Sequence, residues 1–330
     1  MVASEVLLFA PRASADFAAK IAAFMGVAIS PLEEREFEDG EHKVRPLCSV
    51  RDRRTFVVQS LYGEPGTSPN DKLCRLLFLI AALRDAGARR VAAVIPYLAY
   101  ARKDQRTQPR DPVTSRYVAQ LLEAAGSDAV VTLDVHNRSA FHNAFRVPVV
   151  NLETAGVFAD YLAKWLERRK ACVVSPDLGG VKRAQALRDR LSSLTGRDIG
   201  TAFMEKYRAR GEVSGDTLVG DVRGADVVIC DDLISTGTTL ARTALACHRA
   251  SAQRVCAVAA HGLFTGDAEG TLERAHLDHL AITDTVAPFR LGKDFVDRRL
   301  RTVSVAPLFA DAIKRLQDGR SLTELLGQAY

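Results

Sequence analysis

Asp231 and Asp232 stand side by side after the apolar run Val227 to Cys230, and Ser235, Thr236, Gly237, Thr238 and Thr239 follow almost at once. The apolar run reads as a buried strand, and Leu240 to Ala246 reads as a helix. A strand, a short polar loop and a helix together form the kind of place where open α/β sheets bind ligands. Small hydroxyl residues around a glycine let backbone N–H groups come close to a phosphate, and the helix N-terminus adds partial positive charge. Two adjacent carboxylates repel phosphate. They suit the hydroxyls of a sugar, or a magnesium shell. The group therefore reads as a sugar-phosphate site. An ordinary β–α turn needs one capping residue, and this loop offers several. There is no G-x-x-x-x-G-K-[ST] loop, and no G-x-G-x-x-G opens a helix.

Other stretches carry related chemistry. Tyr97 to Thr114 follows an apolar strand and holds Arg102, Lys103, Arg106 and Arg110 beside Asp104, enough cations to hold a triphosphate unless the loop is merely solvated. Asp134-Val135-His136 ends another strand, where a lone histidine is either structural or a metal or phosphate contact. Ser175-Pro176-Asp177-Leu178-Gly179-Gly180 forms a second strand-to-helix loop, with paired glycines that let the helix start close to a ligand. Phe37-Glu38-Asp39-Gly40-Glu41 contains an Asp-Gly turn signal and reads as a hairpin tip. Lys206, Arg208 and Arg210 lie in a polar, glycine-containing segment that reads as a mobile loop, with a charged β-hairpin as the alternative.

Alternating strands and helices must position these groups. Strands are expected near Glu5–Pro11, Arg54–Leu61, Val91–Pro96, Ala129–Leu133, Cys172–Val174, Val227–Cys230, Arg254–Ala260 and Leu280–Thr285. Helices are expected over Ser14–Phe24, Asp71–Ala86 with Asn70 as cap, Ser115–Ala125, Glu153–Lys170, Phe309–Leu316 and Ser321–Leu326. This series implies mostly parallel sheets flanked by helices. It restarts near Asn151, which divides the chain into domains 1–150 and 151–330.

The 330 residues, 47% of them hydrophobic, suffice for two full cores. The net charge of +5 arises from 45 basic and 40 acidic residues without a basic block, which suits phosphorylated small molecules and not nucleic acid. The six cysteines form no C-x-x-C pair and read as reduced, buried residues. The first apolar run, Val6 to Ala10, is short for a signal peptide, and no stretch is long enough for a membrane span, so a cytoplasmic protein is expected.

The motifs together resemble the ribose-phosphate diphosphokinases along nearly the whole chain, and the Asp231–Thr239 stretch also resembles the loop of type I phosphoribosyltransferases. The resemblance implies an α/β fold of two tandem type I phosphoribosyltransferase-like domains. It implies transfer of the diphosphoryl group of MgATP to the anomeric hydroxyl of ribose 5-phosphate, giving phosphoribosyl diphosphate and AMP. By resemblance, Phe37, Asp39, Glu41, Arg102, Lys103, Asp104 and His136 bind ATP, the hairpin serving a neighbouring subunit. His136 and Asp177 contact magnesium. Asp231, Asp232, Ser235, Thr236, Gly237, Thr238 and Thr239 bind ribose 5-phosphate, and Lys206 and Arg208 are catalytic. The resemblance implies a homo-oligomer built from dimers, a hexamer. Here Ser235 replaces a usual Asp, Thr238 a Gly, Lys103 a Gln and Tyr207 an Arg. A regulatory homologue that binds the same ligands, and a phosphoribosyltransferase, stand as alternatives.

Overall fold

The computed structural model describes residues 6–166, 169–209, 212–323 and 325. It divides into two compact units, Met1–Glu153 with Val305–Tyr330, and Thr154–Ser304.

The first unit contains β1 (Leu7–Phe9), α1 (Ala15–Met25), β2 (Leu32–Glu36), β3 (His42–Pro46), β4 (Arg54–Val58), α2 (Pro69–Asp85), β5 (Arg90–Ile95), α3 (Thr114–Ala124), β6 (Ala129–Leu133), α4 (Arg138–Ala144) and β7 (Val149–Leu152). Among the described residues, β1, β4, β5, β6 and β7 form a parallel sheet in that order, and β2 and β3 form a separate hairpin. Strand residues alternate between faces, so each apolar run covers both sides. Phe9, Val57, Ala93 and Val130 share one core with Leu76, Leu79 and Ile80 of α2 and Leu122 of α3. Leu8, Phe56, Val58 and Val94 are buried in alternate register.

The second unit contains α5 (Ala155–Leu162), β8 (Ala171–Ser175), α6 (Val181–Thr195), β9 (Gly200–Ala209), β10 (Glu212–Val219), β11 (Asp226–Ile234), α7 (Thr238–Arg249), β12 (Arg254–Gly262), α8 (Ala268–Glu273), β13 (His279–Thr283), α9 (Lys293–Arg299) and β14 (Leu300–Val303). Its sheet runs β10-β9-β8-β11-β12-β13-β14. All neighbours are parallel except the β9–β10 hairpin. Val227 and Ile229 face one core with Leu240 and Ala244 of α7, while Val228 and Cys230 face another with Leu187 and Leu191 of α6.

The expected boundary at residue 150 needs a correction, because the chain returns to the first unit at Val305. The last helix, α10 (Ala306–Asp318), packs there on α1. Phe17 meets Phe309 edge to face at 5.6 Å. Arg54 Nη1 donates to the carbonyls of Leu316 and Gln317 at 3.0 and 2.7 Å, closing the end of α10, and Lys314 Nζ donates to Phe24 O at 3.0 Å. No sequence periodicity announces such a return; it follows from which apolar stripe finds a partner.

Several local expectations also change. Ser68, not Asn70, caps α2: it accepts from Asp71 N while Asp71 Oδ2 accepts from Ser68 N, with Pro69 in the first helical position. The helix expected over 153–170 ends at Leu162. Ser321, Leu322 and Thr323 are not helical. Residues 200–209 form a strand paired antiparallel to 212–219, so the backbone of the expected mobile loop is a hairpin. Cys172, Cys230, Cys247 and Cys256 are buried as expected, but Cys74 is exposed and Cys48 half-buried.

Candidate functional site

In the second unit, chain direction locates the site. From β8 the chain crosses to β9 on one side, and from β11 it crosses to β12 on the other. Crevices open at the carboxyl edge where a parallel sheet reverses in this way. The registers show the opening. β11 pairs with β8 only from Asp226 to Ile229, but with β12 as far as Ile234. Beyond Ile229, one flank of β11 faces the loop that follows β8.

Asp231 and Asp232 lie on this flank and within β11, not past its end as expected. Asp232 is buried, and its N–H donates to Asp231 Oδ1 at 2.8 Å. Arg183, in the first turn of α6, places Nη1 3.5 Å from Asp232 Oδ1. Burial, and then the Asp232 carboxylate, raise the Asp231 pKa well above the usual carboxylate range. A ligand that brings hydroxyl donors or positive charge relieves this repulsion. Arg183 carried no motif signal, and only packing of α6 beside β11 identifies it.

Ser235 to Gly237 joins β11 to α7. Gly237 is the helix N-cap, with φ +77° and no side-chain capping bond. Gly237 offers the first N–H groups of this twelve-residue helix no capping oxygen of its own, which suits them to an anion. A Cβ at Gly237 would stand 3.0 Å from Leu272 Cγ of α8 and 3.2 Å from its Cδ2. The backbone angle thus calls for glycine, and any added Cβ would also need Leu272 to give by a few tenths of an ångström. Ser235 Oγ lies 2.8 Å from Thr265 Oγ1, and Thr236 Oγ1 lies 3.0 Å from Thr238 Oγ1. Thr265 follows β12 and was missed by sequence reasoning; its N–H also donates to Ser235 O at 2.9 Å. Thr236 and Thr238 are exposed, and Thr239 is half-buried in the first turn of α7.

Across the same crevice edge, Ser175 to Gly180 joins β8 to α6. Asp177 Oδ1 accepts from Gly180 N at 2.9 Å, and Ser175 Oγ donates to Asp177 O at 2.6 Å. A Cβ at Gly180 would come within 2.6 Å of Ser175 Oγ, so this tight turn needs glycine. It holds the Asp177 carboxylate by one oxygen and leaves the other for a ligand. Lys206 and Arg208 lie on β9, whose backbone pairs with β10 at Asp216 and Val213. Their side chains lie outside the described residues.

In the first unit, two loops emerge at the carboxyl edge from neighbouring strands, β5 and β6. Arg102 is exposed, and Lys103 and Asp104 are half-buried. Lys103 Nζ lies 2.6 Å from Asp111 Oδ2, so its charge is compensated within the loop instead of being added beside a ligand. After β6, Asp134 takes φ +38° and its N–H donates to Leu152 O at 2.9 Å. Val135 N donates to Asn151 Oδ1 at 2.9 Å, and Asn137 caps α4 through Ala140 N at 3.1 Å. These bonds fix the turn from both sides and leave His136 exposed at its crest.

Phe37, Asp39 and Glu41 occupy the tip of the β2–β3 hairpin. Gly40 takes φ +89°, Asp39 Oδ1 accepts from Glu41 N at 3.1 Å, and the Arg35 guanidinium lies 4.8 Å above the Phe37 ring. Glu36 of β2 is tied to Arg75 of α2 at 3.1 Å. The structure therefore gathers Asp177, Asp231, Asp232 and residues 235–239 at one sheet edge, and residues 102–104 and His136 at another.

Among the described residues, no three His, Cys, Asp or Glu side chains converge as a metal-binding group. The Asp177 carboxylate oxygen that lies outside its turn is a hard donor of the kind magnesium accepts when it keeps several waters. No described helix is long and apolar enough to cross a membrane.

Comparison with known proteins gives concordant results. A family model described as the N-terminal domain of ribose phosphate pyrophosphokinase matches residues 6–126, and one described as a phosphoribosyl synthetase-associated domain matches residues 206–327. The ribose-phosphate pyrophosphokinase of Wolinella succinogenes is 36% identical over 320 residues, covering 96% of this chain and 98% of the relative. Ribose-phosphate pyrophosphokinase 2 of Saccharomyces cerevisiae is 35% identical over 330 residues, covering 100% and 99%. The crystal structure of phosphoribosylpyrophosphate synthetase from Mycobacterium smegmatis matches with a TM-score of 0.85 and 31% identity, over 96% of this chain and 99% of that one.

Proposed function

Because this chain belongs to the ribose-phosphate pyrophosphokinase family, we propose that it makes 5-phosphoribosyl diphosphate from ribose 5-phosphate and MgATP. The anomeric oxygen attacks the β-phosphorus, the bond to the α-phosphate oxygen breaks, and AMP leaves; the hydroxyl proton passes to water. The observation that carries the reading is the pairing, at one crevice, of an open helix N-terminus in a hydroxyl loop with two adjoining carboxylates. That combination matches a phosphate at one end of a sugar and a diol at its middle.

In this reading Ser235 to Thr239 hold the 5-phosphate through backbone N–H and hydroxyl donors. Asp231 and Asp232 accept from the ribose hydroxyls, which fixes the ring and relieves their mutual repulsion. Arg183 holds the Asp232 carboxylate in place. Arg102 serves the nucleotide phosphates with a planar fork of donors. Lys206 and Arg208 approach the transferred group, where fixed cations stabilise charge that builds in the transition state. His136 and Asp177 would each contact magnesium, which would supply charge neutralisation for the diphosphate when bound. Positioning accounts for most of the rate, and no side chain is assigned as a general base. Phe37, Asp39 and Glu41 receive the adenine from a neighbouring subunit in a dimer-based homo-oligomer, as a Phe ring beside a hydrogen-bonding tip allows.

The test is incubation with MgATP, ribose 5-phosphate and phosphate, followed by nucleotide separation and phosphorus spectroscopy. AMP formed in step with phosphoribosyl diphosphate is expected. ADP would mean single phosphoryl transfer and would overturn the reading. Ligand binding without turnover would favour a regulatory homologue.

A further inference from the structure

The loop after β5 is internally organised around one oxygen atom. Asp111 Oδ2 accepts from Lys103 Nζ at 2.6 Å, Thr107 Oγ1 at 2.7 Å, Thr107 N at 3.1 Å and Gln108 N at 3.1 Å. Asp111 N donates back to Gln108 O at 3.2 Å. Lys103 Nζ also reaches Thr107 Oγ1 at 3.4 Å. The root of the loop is pinned on both strands of chain, since Lys103 N donates to Tyr100 O at 3.1 Å and Ser115 N donates to Lys103 O at 3.2 Å. The result is a closed ring of chain from Lys103 to Asp111.

Backbone angles agree with a loop held against its own preference. Tyr100 and Arg110 take φ of +64° and +68°, a region that an L-residue avoids unless its surroundings impose it. Tyr100 flanks the ring on one side and hydrogen-bonds to Asn70 Oδ1 through its hydroxyl. Arg110 directly precedes the accepting carboxylate. Four donors, one of them a cation, also hold the Asp111 carboxyl far below its ordinary pKa, Lys103 and then Thr107 being the causes. It stays ionised across the physiological range.

The arrangement sorts the loop's cations into two kinds. Lys103 and Asp111 are each about one-third exposed or less, at 33% and 26% of their side chains, and they satisfy one another. Arg102, Arg106 and Arg110 are exposed. An ammonium that already supports a buried-edge carboxylate with three further donors on it is poorly placed to leave for a phosphate.

Resting on the reading that this loop serves the nucleotide, we propose that Asp111 is a positioning residue: with Lys103 it closes residues 103–111 into a preformed loop that presents Arg102 to the nucleotide phosphates. Lys103 then acts as a strut, and its contribution to nucleotide affinity passes through loop shape. The competing idea, that Asp111 merely restrains a Lys103 destined for the triphosphate, predicts the opposite sign for one substitution.

The experiment compares Asp111→Asn, Lys103→Met and the double variant with the wild type. For a strut, Asp111→Asn raises the KM for MgATP about tenfold, the loss expected from one charge-assisted bond. Lys103→Met raises it similarly, and the double variant is no worse than either alone. In Asp111→Asn the kcat at saturation and the KM for ribose 5-phosphate stay near wild type, a split that general destabilisation would not give. A lower KM in Asp111→Asn, or strictly additive single effects, would overturn the proposal in favour of direct phosphate contact by Lys103. Limited trypsin digestion at Arg106 and Arg110 reads the loop without any catalysis: faster cleavage in each single variant is expected, and unchanged cleavage would also overturn the proposal. If the wild type forms no AMP, the functional reading fails, and the digestion still decides whether the ring exists.

Discussion

Gly237→Ala tests the phosphate loop at its tightest point. Gly237 has φ +77°, and an added Cβ would meet Leu272 Cγ at 3.0 Å and Cδ2 at 3.2 Å, with Thr271 Cγ2 at 3.6 Å. The backbone angle costs an L-residue about 1–2 kcal/mol. The contact costs about 1 kcal/mol more, the low end for overpacking, because Leu272 can give by a few tenths of an ångström. The sum is about 2–3 kcal/mol. It can appear in two ways. If the loop keeps its shape, the melting temperature falls, at roughly 2–4 °C per kcal/mol for a domain of this size. If the loop relaxes, ribose 5-phosphate affinity falls roughly 30- to 150-fold instead. Calorimetric titration with ribose 5-phosphate and a thermal scan on the same sample capture both. A second variant, Gly237→Ala with Leu272→Ala, removes the contact but leaves the angle, and it should recover about one-third of the added loss when compared with Leu272→Ala alone. Melting within about 1 °C of wild type together with affinity within about twofold would refute the required-glycine argument, since at least 2 kcal/mol must go somewhere.

Three further outcomes are expected. Lys206→Ala should lower turnover by several orders of magnitude while MgATP binding survives; near-normal turnover would remove this residue from the catalytic role. Arg183→Met should strand the buried Asp232 charge, which typically costs about 3–5 kcal/mol for a buried pair and less at this 3.5 Å separation, lowering both the melting temperature and ribose 5-phosphate affinity. Asp231→Asn should abolish ribose 5-phosphate binding yet stabilise the unliganded protein as pH rises. The sign follows from the raised pKa of Asp231: its proton favours the folded state fully below the unfolded pKa, and that support is lost as pH rises through the folded value. The melting difference between variant and wild type should therefore grow from pH 4 to 8, and a flat difference would show that burial and Asp232 do not raise the Asp231 pKa.

The strand, loop and helix that carry the second unit's candidate site were legible in the linear sequence because their signals are local. A run of apolar residues, two acids, five small polar residues and a helical stretch lie within twenty positions, and backbone hydrogen bonding alone turns them into strand, loop and helix. Gly180 and Gly237 were equally legible, since only glycine fits turns that tight. The βα series likewise announced parallel sheets, because apolar runs buried on both faces have few other homes.

Everything that depends on distant pairing was decided by tertiary structure. Thr265 supports Ser235 across 30 residues, and Arg183 meets Asp232 across 49. Neither side chain carries a signal until the sheet order brings its element alongside β11. Helix α10 belongs to the first unit because its apolar face packs on α1, a choice between two available cores that chain order does not settle. The strand at Asp231 and Asp232 runs on to Ile234 because β12 continues to offer hydrogen-bond partners after β8 has ended. The sequence thus determined which groups the protein has and what each loop can hold. Non-local packing determined which of them meet, because burial and hydrogen-bond satisfaction are properties of neighbours in space and not along the chain.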